Sequence, residues 1–285
     1  MAKVKIIECP RDAMQGLHDF IPTQIKIDYI NSLIKCDFDT IDFGSFVSPK
    51  AIPQLRDTAE VLNQLELKST TKLLAIIANE RGAQDACNFD EINYLGFPFS
   101  ISETFQRRNT NSSIEDSFVN VEKIKKLADQ HKKELVIYLS MGFGNPYGDD
   151  WNSDILIKWC DALYSKLGIT IQALSDTIGI ATPESVKSIF TDIIPSLPQV
   201  EFGAHLHTTF DNAQNLVKAA YEGGCFRFDG AIKGFGGCPM ATNTLTGNMP
   251  SELLLGWLNQ NSIEHGVNMD EFTISMEKAL NVFPI

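Results

Sequence analysis

The stretch Glu201-Phe202-Gly203-Ala204-His205-Leu206-His207 decides how this chain is interpreted, both for its fold and for its chemistry. Its pattern is typical of a buried strand, and the side chains of a strand alternate between two faces. His205 and His207 are two positions apart, so both imidazoles project from the same face. A lone histidine is more often a hydrogen-bonded core residue. A same-face pair at a strand end instead favours a site for one divalent metal ion.

The composition narrows the class of protein. Its 285 residues are 44% hydrophobic, which is enough for a large core. The formal net charge of −12 argues against a nucleic-acid-binding surface, because phosphate backbones require clustered Lys and Arg. No run approaches the roughly 20 apolar residues of a membrane span, and a predicted strand stands where a signal-peptide core would be. The six cysteines include no CxxC pair, unlike a disulfide framework or a zinc ribbon. We therefore expect a cytoplasmic protein with reduced thiols and without nucleic-acid or membrane partners.

Short apolar runs alternate with longer amphipathic runs along the whole chain, which predicts eight strand-then-helix units. The predicted pairs are 4–8 with 22–36, 40–43 with 55–65, 72–77 with 83–89, 91–97 with 114–131, 134–139 with 155–167, 170–174 with 183–194, 201–207 with 213–222, and 227–231 with 252–261. Eight such units favour a (β/α)8 TIM barrel, with a doubly wound parallel sheet as the alternative. We expect one catalytic domain over residues 1–285, with the short C-terminal extension 262–285 packed against the barrel.

Polar residues follow several predicted strands, and in a barrel the active site gathers at those strand ends. Arg11 and Asp12 follow strand one, Asp42 ends strand two, and Asp176 follows strand six. Asp12 is the best carboxylate to complete the metal site, because strand one neighbours strand eight and lies near strand seven in a closed barrel. Asp42 and Asp176 are competitors for this role.

Arg11 and Cys238 are candidates for other parts of the chemistry. A guanidinium beside a metal can neutralise charge that develops on an enolate oxygen. Cys238 follows Gly234-Phe235-Gly236-Gly237, a run that permits positive φ and lid motion, and a thiol there can transfer a proton. No Lys-Ser/Thr follows these glycines, so they are not a phosphate-binding loop.

Five stretches together resemble the family of 3-hydroxy-3-methylglutaryl-CoA lyases, within the wider group of metal-dependent barrel lyases and condensing enzymes. In the family's order they are Pro10-Arg11-Asp12, Ser45-Phe46-Val47-Ser48-Pro49-Lys50, Asp176-Thr177-Ile178-Gly179, His205-Leu206-His207 and Gly236-Gly237-Cys238-Pro239. The second and last stretches favour the lyase branch over the isopropylmalate and homocitrate synthases.

The resemblance implies cleavage of 3-hydroxy-3-methylglutaryl-CoA to acetyl-CoA and acetoacetate by a retro-Claisen reaction that needs a divalent cation, Mg²⁺ or Mn²⁺. The implied metal ligands are Asp12, His205, His207 and Asn248, with Asn243 as the alternative amide. The implied catalytic residues are Cys238, Arg11, Asp12, His205 and Asp42. The implied substrate-binding residues are Arg11, Asp176, Ser48 and Lys50. Arg107, Arg108 and Asn109 are further candidates for contacts with CoA.

The chain departs from the family pattern at several positions. Asp42 stands where Glu is usual, Cys9 directly precedes Pro10 where Gly is usual, and Thr208 follows the second histidine where Asp is common. Three alternatives therefore stay open: a lyase for another 3-hydroxy-3-alkylglutaryl-CoA, an acyl-CoA-dependent condensing enzyme for a 2-oxo acid, and a barrel that only binds. The family also suggests a place in leucine degradation, and we expect a homodimer or higher homo-oligomer.

Overall fold

The strands close into a parallel barrel. The structure is a computed structural model that describes residues 3–67, 70–236 and 246–283. Its barrel strands are β1 (Lys5–Glu8), β2 (Thr40–Ser45), β3 (Lys72–Ile76), β4 (Ile92–Ser100), β5 (Glu134–Ser140), β6 (Ile171–Asp176), β7 (Glu201–Thr208) and β8 (Arg227–Gly230). Each pairs in parallel with its neighbours, β1 pairs with β8, and β6 pairs with β7, so the ring is complete. The TIM barrel is confirmed, and the doubly wound alternative is wrong.

Helices follow the strands around the outside of the barrel. In the described ranges they are α1 (Pro10–Gln15), α2 (Thr23–Lys35), α3 (Thr58–Leu62), α4 (Glu80–Cys87), α5 (Glu103–Thr110), α6 (Ile114–Gln130), α7 (Ser153–Leu167), α8 (Pro183–Ser196), α9 (Ala213–Glu222), α10 (Ser251–Gln260) and α11 (Met269–Ala279). Local capping chemistry sets several ends. Thr182 and Ser185 form a capping box around Pro183 at the start of α8, and Gly168 ends α7 in the left-handed region.

The structure differs from the predicted elements at a few places. The predicted helix 55–65 is a 3-10 turn at Pro53–Leu55 followed by the short α3. Strand β4 runs three residues past the predicted end because residues 98–100 continue the ladder with β5. Helices α1, α5 and α11 were not predicted, since α1 and α5 are short and lack an extended apolar stripe.

The barrel interior supports the site from below. A separate apolar cluster fills it, made of Leu74, Ile76, Tyr94, Val136, Tyr138, Ile171 and Ala173. Gly96 on β4 makes this packing possible, because a Cβ there would lie 2.5 Å from Ile76 Cδ1 and 2.9 Å from Leu74 Cδ2. Ile76 and Tyr138 form the top of the cluster and also line the cavity described below. The barrel core therefore forms the floor of that cavity.

The C-terminal extension packs on the barrel as expected. Helix α11 lies against α2, and the Asn268 amide donates to the Cys36 carbonyl at 2.8 Å. The ring of Phe272 contacts Phe38 edge-on, with centroids 6.1 Å apart. A two-residue strand, β9 (Gly247–Asn248), pairs antiparallel with the end of β7. This pairing brings a segment from beyond β8 to the histidine strand.

The five cysteines in the described ranges are buried and form no disulfide with one another. Cys238 lies outside the described residues. Among the helices described, none combines the length and apolar character needed to cross a membrane.

We predict that Phe38→Ala lowers the free energy of unfolding by about 3–5 kcal/mol, because Phe38 is 1% exposed and holds α11 through Phe272. Phe210→Ala is the control, since Phe210 is 57% exposed and its loss should change stability by less than about 0.5 kcal/mol. Urea unfolding followed by circular dichroism measures both. Equal effects of the two substitutions would contradict the packing described for α11.

Candidate active site

Asp12, His205 and His207 converge at the carboxyl ends of β1 and β7. One possible ligand atom from each side chain lies within 4.8 Å of the others, which is close enough to share one ion. Strand β7 delivers both imidazoles to the same face, as its alternation predicts. Asp12 lies in the first turn of α1, which begins at Pro10 directly after β1. The sequence-derived metal group is therefore assembled in space.

Two polar atoms in this group are buried without a partner. Among the described residues, Asp12 Oδ2 and His207 Nε2 have no hydrogen bond, although Asp12 is 6% exposed and His207 is 3% exposed. A buried polar atom without a partner costs about 1–3 kcal/mol, so such atoms require an explanation. A divalent cation held by both atoms would supply it. The donor set of carboxylate and imidazoles fits such an ion.

The far side of each imidazole is fixed by an acceptor. His207 Nδ1 lies 3.0 Å from the Thr177 carbonyl, which can only accept, so Nδ1 carries the proton and Nε2 keeps its lone pair. His205 Nδ1 lies 3.0 Å from Asp229 Oδ2. Such outer partners orient metal-binding histidines. Sequence reasoning did not identify Asp229, although its position on β8, within the predicted strand 227–231, was a usable signal.

The two histidines differ in basicity because their surroundings differ. Burial and the neighbouring His205 lower the pKa of His207 to about 4, so this ring is neutral near pH 7. Burial also works against charge on His205, but the hydrogen bond and negative charge of Asp229 outweigh it and raise its pKa above 6.5. Burial opposes charge on Asp12 too, yet Arg11 and both imidazoles lower its pKa below the ordinary value. Asp12 is therefore ionised and ready to bind a cation.

Arg11 ties the carboxylates together. Its Nε lies 3.0 Å and its Nη2 2.6 Å from Asp42 Oδ2, while Nη1 donates to Asp12 Oδ1 at 3.0 Å and to Gln15 Oε1 at 2.8 Å. The Gln15 amide in turn donates to Asp12 Oδ1. Asp42 is 1% exposed and lies behind Arg11, and burial raises its pKa to about 6 against the pull of that guanidinium. The structure thus places Asp42 as the partner of Arg11, outside the group formed by Asp12 and the histidines.

Asn248 also reaches this site. It is the residue of β9 that pairs with His207, and it is 3% exposed. Its amide nitrogen donates to the Phe235 carbonyl at 2.8 Å and also reaches toward Asp12, where it helps to lower the pKa of that carboxyl. The amide oxygen is a potential ligand. Cys238 and the alternative amide Asn243 lie outside the described residues.

A cavity of about 410 Å³ opens above the site. Its polar end is formed by Arg11, Asp12, Gln15, Ser140, Ser175, Thr177, His205 and His207. Apart from the floor residues Ile76 and Tyr138, the rest of the lining is a mostly apolar wall formed by Val47, Ala51, Ile52, Ala78, Pro98, Phe105, Asn109 and Thr110. The cavity therefore offers a charged reaction centre beside a surface suited to an alkyl or acyl chain.

Three residues predicted to bind substrate lie away from the cavity lining. Asp176 turns its carboxylate onto its own loop, where it accepts from the amides of Ile180 at 3.1 Å and Ala181 at 2.8 Å. Ser48 accepts from the Lys50 amide at 3.3 Å, and Lys50 is exposed. Their loop still reaches the cavity through Val47, Ala51 and Ile52, which are apolar.

The candidate CoA contacts on α5 are split between the surface and the cavity. Arg107 forms an ion pair with Glu103 at 2.7 Å, and the Arg108 guanidinium lies 4.6 Å from the centre of the Tyr147 ring. Asn109 lines the cavity directly. Two arginines of α5 therefore lie near the residue, Asn109, that borders the apolar wall.

We predict that Mn²⁺ affinity falls as pH falls, because a proton on His205 competes with the metal. The raised pKa of His205 places the onset above pH 6.5, and affinity should then drop about tenfold per pH unit. His207, with its pKa of about 4, adds no loss until much lower pH. Electron paramagnetic resonance of free Mn²⁺ measures the affinity.

Asp229→Asn should move the pH at which Mn²⁺ affinity begins to fall to a lower value, and it should weaken Mn²⁺ binding by about 10–100-fold. An unchanged pH of onset in that variant would refute this role of Asp229.

Comparison with known proteins agrees with this geometry. The chain matches the HMGL-like family model over residues 3–277. It is 33% identical to the hydroxymethylglutaryl-CoA lyase of Bacillus subtilis, over 94% of this chain and 89% of that protein. It is 31% identical to the 3-hydroxy-3-isohexenylglutaryl-CoA/hydroxymethylglutaryl-CoA lyase of Pseudomonas aeruginosa, over 94% of this chain and 88% of that one. The structure of an HMG-CoA lyase from Acinetobacter baumannii in complex with coenzyme A and 3-methylmalate superposes with a TM-score of 0.90 at 32% identity, covering 98% of this chain and 91% of that chain. The chain therefore belongs to the HMGL-like family.

Proposed function

We propose that this protein is a divalent-metal-dependent carbon–carbon lyase that cleaves 3-hydroxy-3-methylglutaryl-CoA to acetyl-CoA and acetoacetate. The observation that carries the proposal is the group of Asp12, His205 and His207, with two buried atoms free to bind a cation, beside Arg11 at the end of the cavity. Family membership and the names of the relatives supply the substrate class.

The residues that would hold the cation are Asp12, His205, His207 and Asn248. Their mixture of carboxylate, imidazole and amide ligands suits Mg²⁺ or Mn²⁺ with positions left for substrate oxygens. When bound, such a cation makes a nearby hydroxyl group more acidic and balances negative charge in the site. The remaining work falls to side chains of this chain.

The reaction breaks the bond between C2 and C3 of the substrate. The tertiary hydroxyl at C3 gives up its proton and becomes the ketone of acetoacetate, and the bonding electrons move onto C2 as a thioester enolate. A proton delivered to C2 then yields acetyl-CoA. We assign removal of the hydroxyl proton to His205, whose Nδ1 lies 3.0 Å from Asp229 Oδ2, and delivery of the proton to C2 to the Cys238 thiol.

Arg11 would stabilise the thioester enolate. Two of its nitrogens are fixed by Asp42 and a third by Asp12 and Gln15, so the guanidinium is held in place before the reaction begins. A preorganised cation beside a developing oxyanion lowers the barrier more than a mobile one, because no reorganisation is needed. Asp42 then acts through Arg11, as its pairing suggests.

The apolar wall would take the acyl and pantetheine portion of an acyl-CoA, with Asn109 and the loop that carries Ser48 and Lys50 near its edge. Asp176 would shape the loop after β6 through its bonds to the Ile180 and Ala181 amides. We further propose a cytoplasmic enzyme of leucine degradation that works as a homo-oligomer. These assignments extend the family resemblance.

We predict that the purified protein with Mg²⁺ or Mn²⁺ releases acetyl-CoA and acetoacetate from 3-hydroxy-3-methylglutaryl-CoA. Arg11→Lys should lower kcat by about 10²–10³-fold, because it loses the planar, multidentate hold on Asp42 and Asp12. Cys238→Ala should also cut the rate sharply. Arg81→Lys, an exposed change on α4, is the matched control and should leave the rate intact.

The same assay separates the alternatives. No cleavage with any of several divalent metals would refute the lyase, and release of free CoA from acetyl-CoA plus a 2-oxo acid would favour a condensing enzyme. Faster cleavage of a substrate with a longer alkyl group at C3 would instead assign the enzyme to that analogue.

A further inference from the structure

A second group of possible metal ligands shares His205 with the group of Asp12, His205 and His207, which is called the first site below. One ligand atom each from Cys9, His205 and Asp229 lies within 4.8 Å of the others. Cys9 directly precedes α1, and Asp229 lies on β8, which pairs with β1. Both side chains are buried, with 1% and 3% exposure.

This second group also contains atoms without adequate partners. Asp229 uses Oδ2 to hold His205 at 3.0 Å, but its Oδ1 is buried without a hydrogen bond among the described residues. The Cys9 thiol has a contact at 3.9 Å to the Ile7 carbonyl, which is long even for sulfur. Asp229 Oδ1 and the Cys9 sulfur therefore lie near the imidazole of His205, and each can still bind a further group.

The chemistry of this group differs from that of the first. A cysteine thiolate, an imidazole and a carboxylate are each zinc ligands, and three protein ligands leave the fourth tetrahedral position for water. Sulfur also favours softer ions such as Cd²⁺, whereas Mg²⁺ and Mn²⁺ prefer oxygen. Negative charge predominates around Cys9, because the carboxylates of Asp12, Asp42 and Asp229 act on it. Two buried guanidiniums offset part of this charge, Arg11 beside Asp12 and Asp42 and Arg227 beside Asp229.

We propose that Cys9, His205 and Asp229 form a second site, which binds a soft divalent cation of the Zn²⁺ or Cd²⁺ type. On binding, the Cys9 sulfur–hydrogen bond breaks, its proton leaves to solvent, and the thiolate electron pair forms the bond to the metal. The His205 nitrogen that binds the metal likewise gives up the proton that it shares with Asp229 Oδ2, and its lone pair forms the second bond. A cation held there inhibits the enzyme, because it takes His205 and Asp229 out of the arrangement that serves the first site. The binding stands on this geometry alone, and the inhibition rests on the proposed function.

Binding is tested by titrating the metal-free protein with Cd²⁺ and following the ultraviolet charge-transfer absorption of a cadmium–thiolate bond. The first site contains no sulfur among its described ligands, so its occupation adds none of this absorption. We expect about one thiolate-bound Cd²⁺ per chain in the wild type and in Cys238→Ser, and loss of the band in Cys9→Ser. A band that disappears in Cys238→Ser and persists in Cys9→Ser would overturn the site, as would the absence of any band in the wild type.

A second variant keeps this test independent of folding. Cys9→Ala removes the sulfur without adding a hydroxyl, and circular dichroism shows whether each variant keeps the wild-type fold. Asp229→Asn retains the thiol and should weaken Cd²⁺ binding by at least about tenfold, because it removes the charged ligand. Unchanged Cd²⁺ affinity in Asp229→Asn would contradict the assignment.

Inhibition is tested by adding Zn²⁺ to the Mg²⁺-loaded enzyme. Removing a residue that only orients a metal ligand typically lowers metal affinity by roughly 10–100-fold, and removing a ligand itself should lower it at least as much. Cys9→Ser should therefore raise the Zn²⁺ concentration that gives half-inhibition by more than about tenfold. Equal sensitivity in wild type and Cys9→Ser would refute the inhibitory role. If the protein cleaves no substrate with any metal, the proposed function fails, while the Cd²⁺ titration still decides whether the second site exists.

Discussion

The site depends on one electrostatic constraint: the buried carboxylate of Asp12, the buried imidazole of His207 and the part-buried imidazole of His205 are held within reach of a single ion. Among the described residues, Asp12 Oδ2 and His207 Nε2 have no hydrogen-bond partner, and neither has the nearby Asp229 Oδ1. Buried polar atoms without a partner require an explanation, and a cation held between Asp12 and His207 would supply one for this pair. The barrel makes this arrangement possible, because β1 pairs with β8 and β7 presents its histidines toward the same mouth.

The residues around this group prepare it for both binding and catalysis. Thr177 and Asp229 fix the far nitrogens of the two rings, so the near nitrogens point into the site. Arg11 offsets the negative charge of Asp12 and Asp42 and remains exposed to the cavity. The same His205 belongs to a second, sulfur-containing group. His205 therefore belongs to two groups of ligands, one suited to a hard cation such as Mg²⁺ and one suited to a soft cation such as Cd²⁺.

Sequence patterns predicted the parts of the molecule that repeat or alternate. The eight units, the closed barrel and the pairing of His205 with His207 on one face follow from periodicities of two and 3.6 residues. The approach of Asp12 follows from barrel closure. Other features depend on three-dimensional packing that no short-range pattern reports. These features are hydrogen bonds: Asp229 bonds to His205, Asp42 accepts from Arg11, and Asp176 accepts from the Ala181 amide of its own loop. Helix α1 was not predicted from the sequence, because its six residues are too few to show a helical period.

The most direct test of the central claim is the position of Mn²⁺ in crystals of this protein, located by its anomalous scattering. The account predicts one strong peak about 2.0–2.3 Å from an Asp12 carboxylate oxygen and from a nitrogen of each of His205 and His207. It further predicts that the peak vanishes in Asp12→Ala crystals grown and soaked in the same way. A Mn²⁺ peak bound elsewhere, or none at these three residues in saturated crystals, would contradict it.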